Sequence, residues 1–224
     1  MSSPGEARNE SRAPVISRDT PVIFVVDDDV SVRESLELLI LSAGWQPETF
    51  ESAEEFLERS RIAGPSCLVL DVTLPNLNGL DLQKRIVDRA AMPVIFITGY
   101  GDVPTTVQAM KAGAVEFLTK PFGGDVLLDA IGQAIERSRT ALAHETELRA
   151  LRACYASLTP RERETMALVV SGLLNKQIAA RLGISEITVK AHRGRVMRKM
   201  GVDSLAALVR VAAALAVCPP GPGS

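Results

Sequence analysis

Short apolar runs alternate with amphipathic stretches over the first 140 residues of the chain. Residues 22–26 and 67–70 are uninterrupted apolar runs, which is typical of strands buried on both faces of a parallel sheet. Between them, apolar residues recur at helical spacing over residues 31–43, and Gly44 follows as a helix stop. The pattern therefore predicts strands that alternate with helices.

The same alternation continues to residue 139 and predicts three more strands and four more helices. The strands are expected at 46–50, 93–97 and 115–118, and the helices at 53–60, 80–90, 104–112 and 124–139. Parallel neighbouring strands need helical crossovers between them. Five strands alternating with five helices therefore predict an α/β fold with a doubly wound parallel sheet.

After residue 124 the pattern becomes purely helical. Residues 125–154 contain almost no Gly or Pro, so the closing helix is expected to continue as a helical linker. Thr159, Pro160 and Glu162 form a strong helix start signal, with three further helices at 175–182, 185–200 and 204–217. A short turn at 183–185 resembles the corner of a helix-turn-helix. The sequence thus predicts a small all-α domain of four helices.

These patterns predict five segments along the chain. They are a disordered tail at 1–20, an α/β domain at 21–140, a helical linker at 141–156, a helical domain at 157–217 and a C-terminal tail at 218–224.

Residues 1–156 hold 15 Lys and Arg against 23 Asp and Glu, a net of −8, whereas residues 157–224 hold 10 against 4, a net of +6. The asymmetry indicates an acidic module joined to one that can meet a polyanion.

Cysteine usage and hydropathy indicate the compartment. The three cysteines are odd in number and share no metal-ligand spacing, which argues against a closed disulfide framework. Charged residues begin at Glu6, no apolar signal region precedes them, and no apolar run approaches membrane-spanning length. The sequence therefore predicts a soluble cytoplasmic protein with no membrane partner.

Candidate chemistry follows the predicted strands at their carboxyl ends. The polar residues there are Asp27, Asp28, Asp71, Thr98 and Lys120. Ligands of open α/β sheets bind outside these strand ends, so we expect the side chains to lie together. Crowded carboxylates repel one another unless a cation joins them, and Mg²⁺ prefers such oxygen ligands. Lys120 and the Thr98 hydroxyl can both contact phosphoryl oxygens, so the set indicates phosphoryl transfer with Asp71 as the attacking carboxylate.

Four motifs occur in order over about residues 20–140: Val25-Val-Asp-Asp-Asp29, Leu68-Val-Leu-Asp71 with Leu74-Pro-Asn-Leu-Asn-Gly79, Ile97-Thr-Gly99, and Phe117-Leu-Thr-Lys-Pro-Phe122. Together they resemble the receiver domain of two-component response regulators, which has a (βα)5 flavodoxin-like fold. A single motif of this kind carries little weight, but the ordered set is specific.

The resemblance implies a role for each matching residue. It implies that a sensor histidine kinase phosphorylates Asp71, and that Mg²⁺ binds Asp28, Asp71 and the backbone carbonyl of Thr73, with Asp27 helping through water. It further implies that Thr98 and Phe117 form a switch pair and that Lys120 contacts the phosphoryl group. Asp29 is expected to be a surface or helix N-terminal charge rather than a further ligand.

Residues 185–200 divide into two faces at helical spacing. Val189, Val196 and Met200 fit a buried stripe. The opposite side centres on Ala191, Gly194 and Arg198, with Lys190 and Arg195 at its borders. Such a helix can approach a groove closely while its edges meet phosphates. Gly194 costs about 1 kcal/mol relative to Ala in a helix interior, and close backbone approach or simple tolerance at an exposed site both explain it.

Further motifs at 158–164, 172–179, 182–185, 188–193 and 199–202 resemble the LuxR-type DNA-binding domain over about residues 155–217. With the receiver, the architecture resembles the FixJ/NarL class, and it is most similar to FixJ-like members. The resemblance implies base-edge contacts from Lys190 and Ala191. It implies phosphate contacts from Asn175, Lys176, Thr188, His192, Arg195 and Lys199. The family often carries a polar side chain where Gly194 stands, so readout there is not implied.

Together these features predict a transcription factor that phosphorylation controls. The resemblance implies Mg²⁺ as cofactor, a histidine kinase and double-stranded DNA as partners, and a homodimer when phosphorylated. We expect no enzyme activity beyond Mg²⁺-assisted phosphorylation and dephosphorylation of the chain itself. Two alternatives are a phosphate sink whose basic domain only docks, and a regulator that works without phosphate. A nucleotide- or flavin-binding domain is disfavoured, because residues 27–29 stand where a Gly-rich phosphate loop would.

Overall fold

The computed structural model describes residues 20–60, 62–86, 91–99 and 103–217. The chain divides into two compact units, Met1–Leu142 and Ala143–Ser224. The two expected tails, except for residue 20, and residues 87–90 of the third expected helix lie outside the described residues.

The first unit contains a parallel sheet of five strands in the order β2-β1-β3-β4-β5. The strands are β1 Val22–Val26, β2 Gln46–Phe50, β3 Ser66–Asp71, β4 Val94–Thr98 and β5 Glu116–Thr119. Each strand is followed by a helix, which supplies the crossover that parallel strands need. The predicted α/β fold with its parallel sheet is confirmed.

The helices of this unit are α1 Val30–Ser42, α2 Ala53–Glu58, α3 Gly79–Arg85, α4 Val103–Lys111 and α5 Gly124–Ala156. The predicted helix at 80–90 was wrong at its end, because α3 stops at Arg85. Ile86 leaves the helical conformation, and its N–H bonds back to Leu82 and Gln83 carbonyls. By contrast, α5 runs unbroken to Ala156 and includes the boundary between the two units.

Alternating strand residues build two hydrophobic layers, one on each face of the sheet. Phe24, Leu68 and Phe96 belong to the layer on one face, together with Phe50 and Phe56. The rings of the trio formed by Phe24, Phe50 and Phe56 lie 5.4 to 6.1 Å apart between centroids, and two of the three contacts are edge-to-face. The intervening strand residues bury against α1 and α5 on the other face. Burial on both faces explains why these strands read as continuous apolar runs.

The second unit contains four helices after the end of α5: α6 Pro160–Val170, α7 Asn175–Leu182, α8 Glu186–Lys199 and α9 Leu205–Ala214. Gly183 ends α7 in the left-handed conformation with φ of 66°, and Ser185 then caps α8. Met166, Ile178 and Val196 lie in the shared core of this unit. The predicted four-helix domain is confirmed. Among the described residues, no helix combines the length and apolar character needed to cross a bilayer.

The start of α6 carries an ion pair with a buried carboxylate as well as the expected cap. Thr159 and Glu162 form the reciprocal capping box that the sequence predicts. Glu162 is 2% exposed, and its Oε2 accepts a hydrogen bond from Lys199 Nζ at 2.7 Å. The hydrogen bond from Lys199, followed by that from the Thr159 N–H, lowers the pKa of Glu162 to about 2. The ion pair of Glu162 with Lys199 therefore links α6 to α8.

The glycine at the start of α3 gives a first prediction. A Cβ on Gly79 would lie 2.5 Å from the Asp71 carbonyl oxygen, whereas a Cβ on Gly132 in α5 would meet nothing within 4 Å. We expect Gly79→Ala to destabilise the first unit by about 1–3 kcal/mol through overpacking. Gly132→Ala is the matched control and should stabilise it by about 0.5–1 kcal/mol. Urea denaturation of the full chain measures both, and equal stabilities would contradict the close approach.

The ion pair gives a second prediction, on acid stability. Because folding lowers the pKa of Glu162, the pair stabilises the second unit above pH 4.5 and loses this effect as pH falls towards about 2. Lys199→Met removes the largest cause of the lowered pKa, so the folded-state pKa of Glu162 returns towards 4.5 and the stability of the variant should fall less between pH 4.5 and 2 than that of the parent chain. At neutral pH the variant should lose about 1.5–3 kcal/mol, as for a hydrogen bond to a charged group.

Hydrogen exchange in α6 and α8, compared with the parent chain at each pH, measures this loss. Lys190→Met is the control, since Lys190 is an exposed cation on the same helix. If Lys199→Met and Lys190→Met show the same exchange profile, the ion pair does not stabilise the unit.

Candidate functional site

Two carboxylates and an ammonium group meet at the carboxyl ends of three strands of the sheet. Asp27 follows β1, Asp71 ends β3, and Lys120 follows β5. Lys120 Nζ donates to Asp27 Oδ2 and to Asp71 Oδ2, each at 2.7 Å. Asp27 is fully buried and Asp71 is 6% exposed. The ammonium therefore joins two buried carboxylates that would otherwise repel each other.

Burial and the hydrogen bonds of Lys120 have opposite effects on the pKa of Asp27 and on that of Lys120. Burial raises the pKa of Asp27, although the hydrogen bond from Lys120 opposes the rise. Burial would lower the pKa of Lys120, but its hydrogen bonds to Asp27 and Asp71 outweigh burial and raise it. Lys120 is thus held as a cation at the site.

Asp28 and Asp29 have different roles in the loop after β1. Asp28 is exposed, and its carboxylate oxygens lie with those of Asp27 and Asp71 in a group whose ligand atoms fall within 4.8 Å of one another. Asp29 is the N-cap of α1 and accepts from the backbone N–H groups of Ser31 and Val32. The structure therefore places Asp29 at a helix N-terminus, as the sequence indicates.

Backbone contacts fix the acidic groups in place. The Thr73 N–H donates to Asp71 Oδ1 at 2.7 Å, and the Asp29 N–H donates to Asp27 Oδ1 at 3.0 Å. Arg33 in α1 donates from Nη1 to the Asp27 carbonyl oxygen at 2.7 Å. Sequence reasoning missed Arg33, since no motif marks an arginine that binds a carbonyl six residues earlier.

The grouped oxygens fit a hard divalent cation. Three carboxylates converge there, and the donor set consists of oxygen atoms, which Mg²⁺ and Ca²⁺ prefer. Asp28 is exposed, so an ion in this group would keep access to water, as Mg²⁺ ligation commonly requires.

Thr98 lies on β4, the strand beside β3, and Phe117 lies on β5, the next strand in the sheet. Thr98 ends β4 and is fully buried, one residue beyond Ile97, the register partner of Asp71. Its carbonyl accepts the Lys120 N–H at 2.7 Å. Phe117 in β5 is half-buried, and its ring centroid lies 6.2 Å from that of Phe96. The structure thus brings Thr98 next to the carboxylate site and places Phe117 on the adjacent strand.

The reading face predicted for α8 is exposed in the second unit. Val189, Val196 and Met200 are at most 3% exposed and pack in the core. The opposite side is exposed to solvent and contains Lys190, Ala191, Gly194, Arg195 and Arg198. The predicted division of this helix into a buried stripe and a basic exposed face is confirmed.

The other residues expected to contact nucleic acid lie in α7 and α8 and are at least partly exposed. Lys176 is exposed at the start of α7, and Thr188 is half-buried, with its hydroxyl 2.9 Å from that of Ser185. His192 is half-buried in α8. Arg193, which sequence reasoning missed, donates from Nη1 to Asn175 Oδ1 at 2.7 Å. This bond positions the Asn175 side chain from the neighbouring helix.

Lys199 makes its hydrogen bonds to groups within the second unit. Its ammonium donates to Glu162 and, at 3.0 Å, to the Ser157 carbonyl oxygen just beyond the end of α5. Arg163 makes a parallel contact, donating to the Ala156 carbonyl at 2.9 Å while its guanidinium lies 5.4 Å from the Tyr155 ring centroid. The ammonium of Lys199 therefore has two internal partners, which disfavours the phosphate contact expected of it.

Comparison with known families agrees with both halves of the molecule. The response regulator receiver domain matches residues 23–132, and the bacterial regulatory proteins of the luxR family match residues 156–212. Nodulation protein W of Bradyrhizobium diazoefficiens is 48% identical over 197 residues, covering 88% of this chain and 87% of that protein.

Two solved structures are similar to this chain over most of its length. The response regulator StyR has a TM-score of 0.73 and 48% identity, covering 87% of this chain and 98% of that one. Full-length FixJ from B. japonicum has a TM-score of 0.52 and 40% identity, covering 88% and 98%. The chain therefore belongs to the transcriptional response regulators of the FixJ/NarL class, in which a receiver domain is joined to a LuxR-type DNA-binding domain.

Proposed function

We propose that Asp71 accepts a phosphoryl group from a sensor histidine kinase and that this step controls DNA binding by α8. The observation that supports the acceptor most strongly is the ammonium of Lys120, 2.7 Å from a carboxylate oxygen of Asp71. A cation at this distance can stabilise charge on the phosphoryl oxygens as they approach. In this proposal the chain catalyses only its own phosphorylation and dephosphorylation.

Transfer requires a carboxylate nucleophile held in one orientation. The Thr73 N–H fixes Asp71 Oδ1, so the other oxygen, Oδ2, faces Lys120. An oxygen of Asp71 attacks phosphorus, the new P–O bond forms as the P–N bond to the kinase histidine breaks, and the electron pair of that bond stays on the imidazole. The product is an acyl phosphate next to a retained cation.

Asp27, Asp28, Asp71 and the backbone carbonyl of Thr73 would hold Mg²⁺ in this proposal, with Asp27 acting through water. When bound, the ion offsets negative charge on the transferring phosphoryl group. The support is the convergence of the three carboxylates.

The added charge is about −1.5 to −2, and it must be met by local donors. Thr98 lies one residue past the register partner of Asp71, so its hydroxyl can be drawn towards a phosphoryl oxygen. Phe117, packed near Phe96 on the next strand, would then move into the space that the threonine leaves. We propose that these two residues form the switch pair.

The second unit is proposed to bind the major groove of double-stranded DNA through α8. Lys190 and Ala191 would contact base edges. Phosphate contacts would come from Asn175, Lys176, Thr188, His192 and Arg195.

In this proposal the receiver spans 21–140, the linker 141–156 and the DNA-binding domain 157–217. The regulator acts in the cytoplasm, where its DNA lies, and a homodimer formed on phosphorylation matches the two-part sites of helix-turn-helix proteins.

Selection of bound DNA fragments tests the whole proposal. The full chain is used with and without acetyl phosphate and Mg²⁺, beside Asp71→Asn and the control Asp81→Asn, which neutralises an exposed carboxylate on α3. We expect phosphorylation to enrich one set of fragments and to raise their affinity by about 5–150-fold, the usual range of coupling between sites. Asp81→Asn should respond like the parent chain.

Asp71→Asn should bind the same fragments without this increase. Full affinity of Asp71→Asn in the absence of acetyl phosphate would favour a regulator that works without phosphate. Phosphorylation without selective DNA binding in any state would instead favour a phosphate sink.

A further inference from the structure

Ile187 projects into solvent near the start of the reading helix. It is the second residue of α8, directly after the first-turn residue Glu186, and 80% of its surface is exposed. Among the described residues, no other large apolar side chain is as exposed. A single exposed apolar side chain is ordinary on a protein surface, so its location must decide what it does.

Ile187 lies at the N-terminal end of the midline of the exposed face of α8. Ile187, Ala191, Gly194 and Arg198 follow one another at steps of four, three and four, so they form one stripe along the helix. Ala191 has a short side chain, and the space around the missing Cβ of Gly194 is open to 4 Å. We call this stripe the crest of α8. Ile187 is its one large apolar side chain.

Cations border this crest on both sides. Lys190 and Arg195 are exposed beside it, and Arg198 continues the stripe. The charge pattern suits a double-stranded DNA groove lined by phosphates, in which the N-terminal residues of a reading helix contact base edges. An isoleucine can neither donate nor accept a hydrogen bond. The apolar feature of base edges in the major groove is the C5-methyl group of thymine.

We propose that Ile187 is a specificity-determining residue that contacts the methyl group of a thymine and so selects an A·T pair at one position of each half-site. The proposal rests on the DNA binding proposed above and names a base that the protein reads. In this proposal the small residues of the crest allow α8 to approach the DNA groove closely. The longer side chain of Ile187 then contacts the base edge.

Replacing thymine by deoxyuridine tests the contact, because this change removes only the methyl group. A duplex selected by the phosphorylated full chain is prepared with each thymine replaced in turn, and its affinity is measured at fixed salt. At one thymine per half-site we expect the parent chain to bind about fourfold more weakly, the value of one buried methyl group.

Ile187→Ala should bind the thymine and deoxyuridine duplexes with equal affinity at that position. Alanine is the better helix former, so the exposed substitution leaves α8 intact. Val209→Ala is the matched control, since it shortens a partly exposed apolar side chain on α9. This control should keep the fourfold loss at deoxyuridine.

Two results would overturn the proposal, and they differ from failure of the proposed function. The first is selective DNA binding in which no thymine shows a loss that depends on Ile187. The second is a uniform loss of affinity by Ile187→Ala on all duplexes. Absence of selective DNA binding by the parent chain would overturn the proposed function itself.

Discussion

The bridge from Lys120 to Asp27 and Asp71 is the interaction on which the receiver site depends. Two carboxylates that are at least nine-tenths buried lie side by side there, and each lies 2.7 Å from the same ammonium. Removing one partner of a buried ion pair typically costs about 3–5 kcal/mol, because the remaining charge stays desolvated. The cation therefore offsets the repulsion between the two carboxylates and makes the acidic site compatible with folding.

The sheet order makes this bridge feasible. Asp27 and Asp71 come from neighbouring strands, because β1 pairs with β3, whereas Lys120 follows β5 at the edge of the sheet. A long side chain is needed to span β4, and the Lys120 N–H is itself fixed by the Thr98 carbonyl. Asp71, Thr98 and Lys120 are thus held at the ends of the adjacent strands β3, β4 and β5.

A second set of charges organises the DNA-binding unit. The last turn of α5 and the residue after it offer carbonyl oxygens to Arg163 in α6 and to Lys199 in α8. Lys199 also neutralises Glu162 at the start of α6. These contacts therefore hold together the end of α5, the capping box of α6 and the last turn of α8.

Sequence periodicity predicted most of this architecture for a physical reason. Strands buried on both faces must be apolar throughout, and parallel strands bring their carboxyl ends to one edge, so Asp27, Asp71 and Lys120 could be placed together without coordinates. The ion pair of Glu162 with Lys199 could not, since 37 residues separate the partners and neither belongs to a charge pattern. The end of α3 was missed because the helical pattern continues past the cap at Ile86. Ile187 fits the helical spacing, but only its exposure marks it as unused by the core.

The central claim is that Asp71 carries the phosphoryl group, and locating the acyl phosphate tests it most directly. The full chain is treated with acetyl phosphate and Mg²⁺ and then reduced with borohydride, which converts an aspartyl phosphate to homoserine. Peptide mass mapping then identifies the converted residue. The site geometry predicts homoserine at residue 71 alone and none in Asp71→Asn. Homoserine at another aspartate in the parent chain, or equal phosphorylation of Asp71→Asn, would contradict the account.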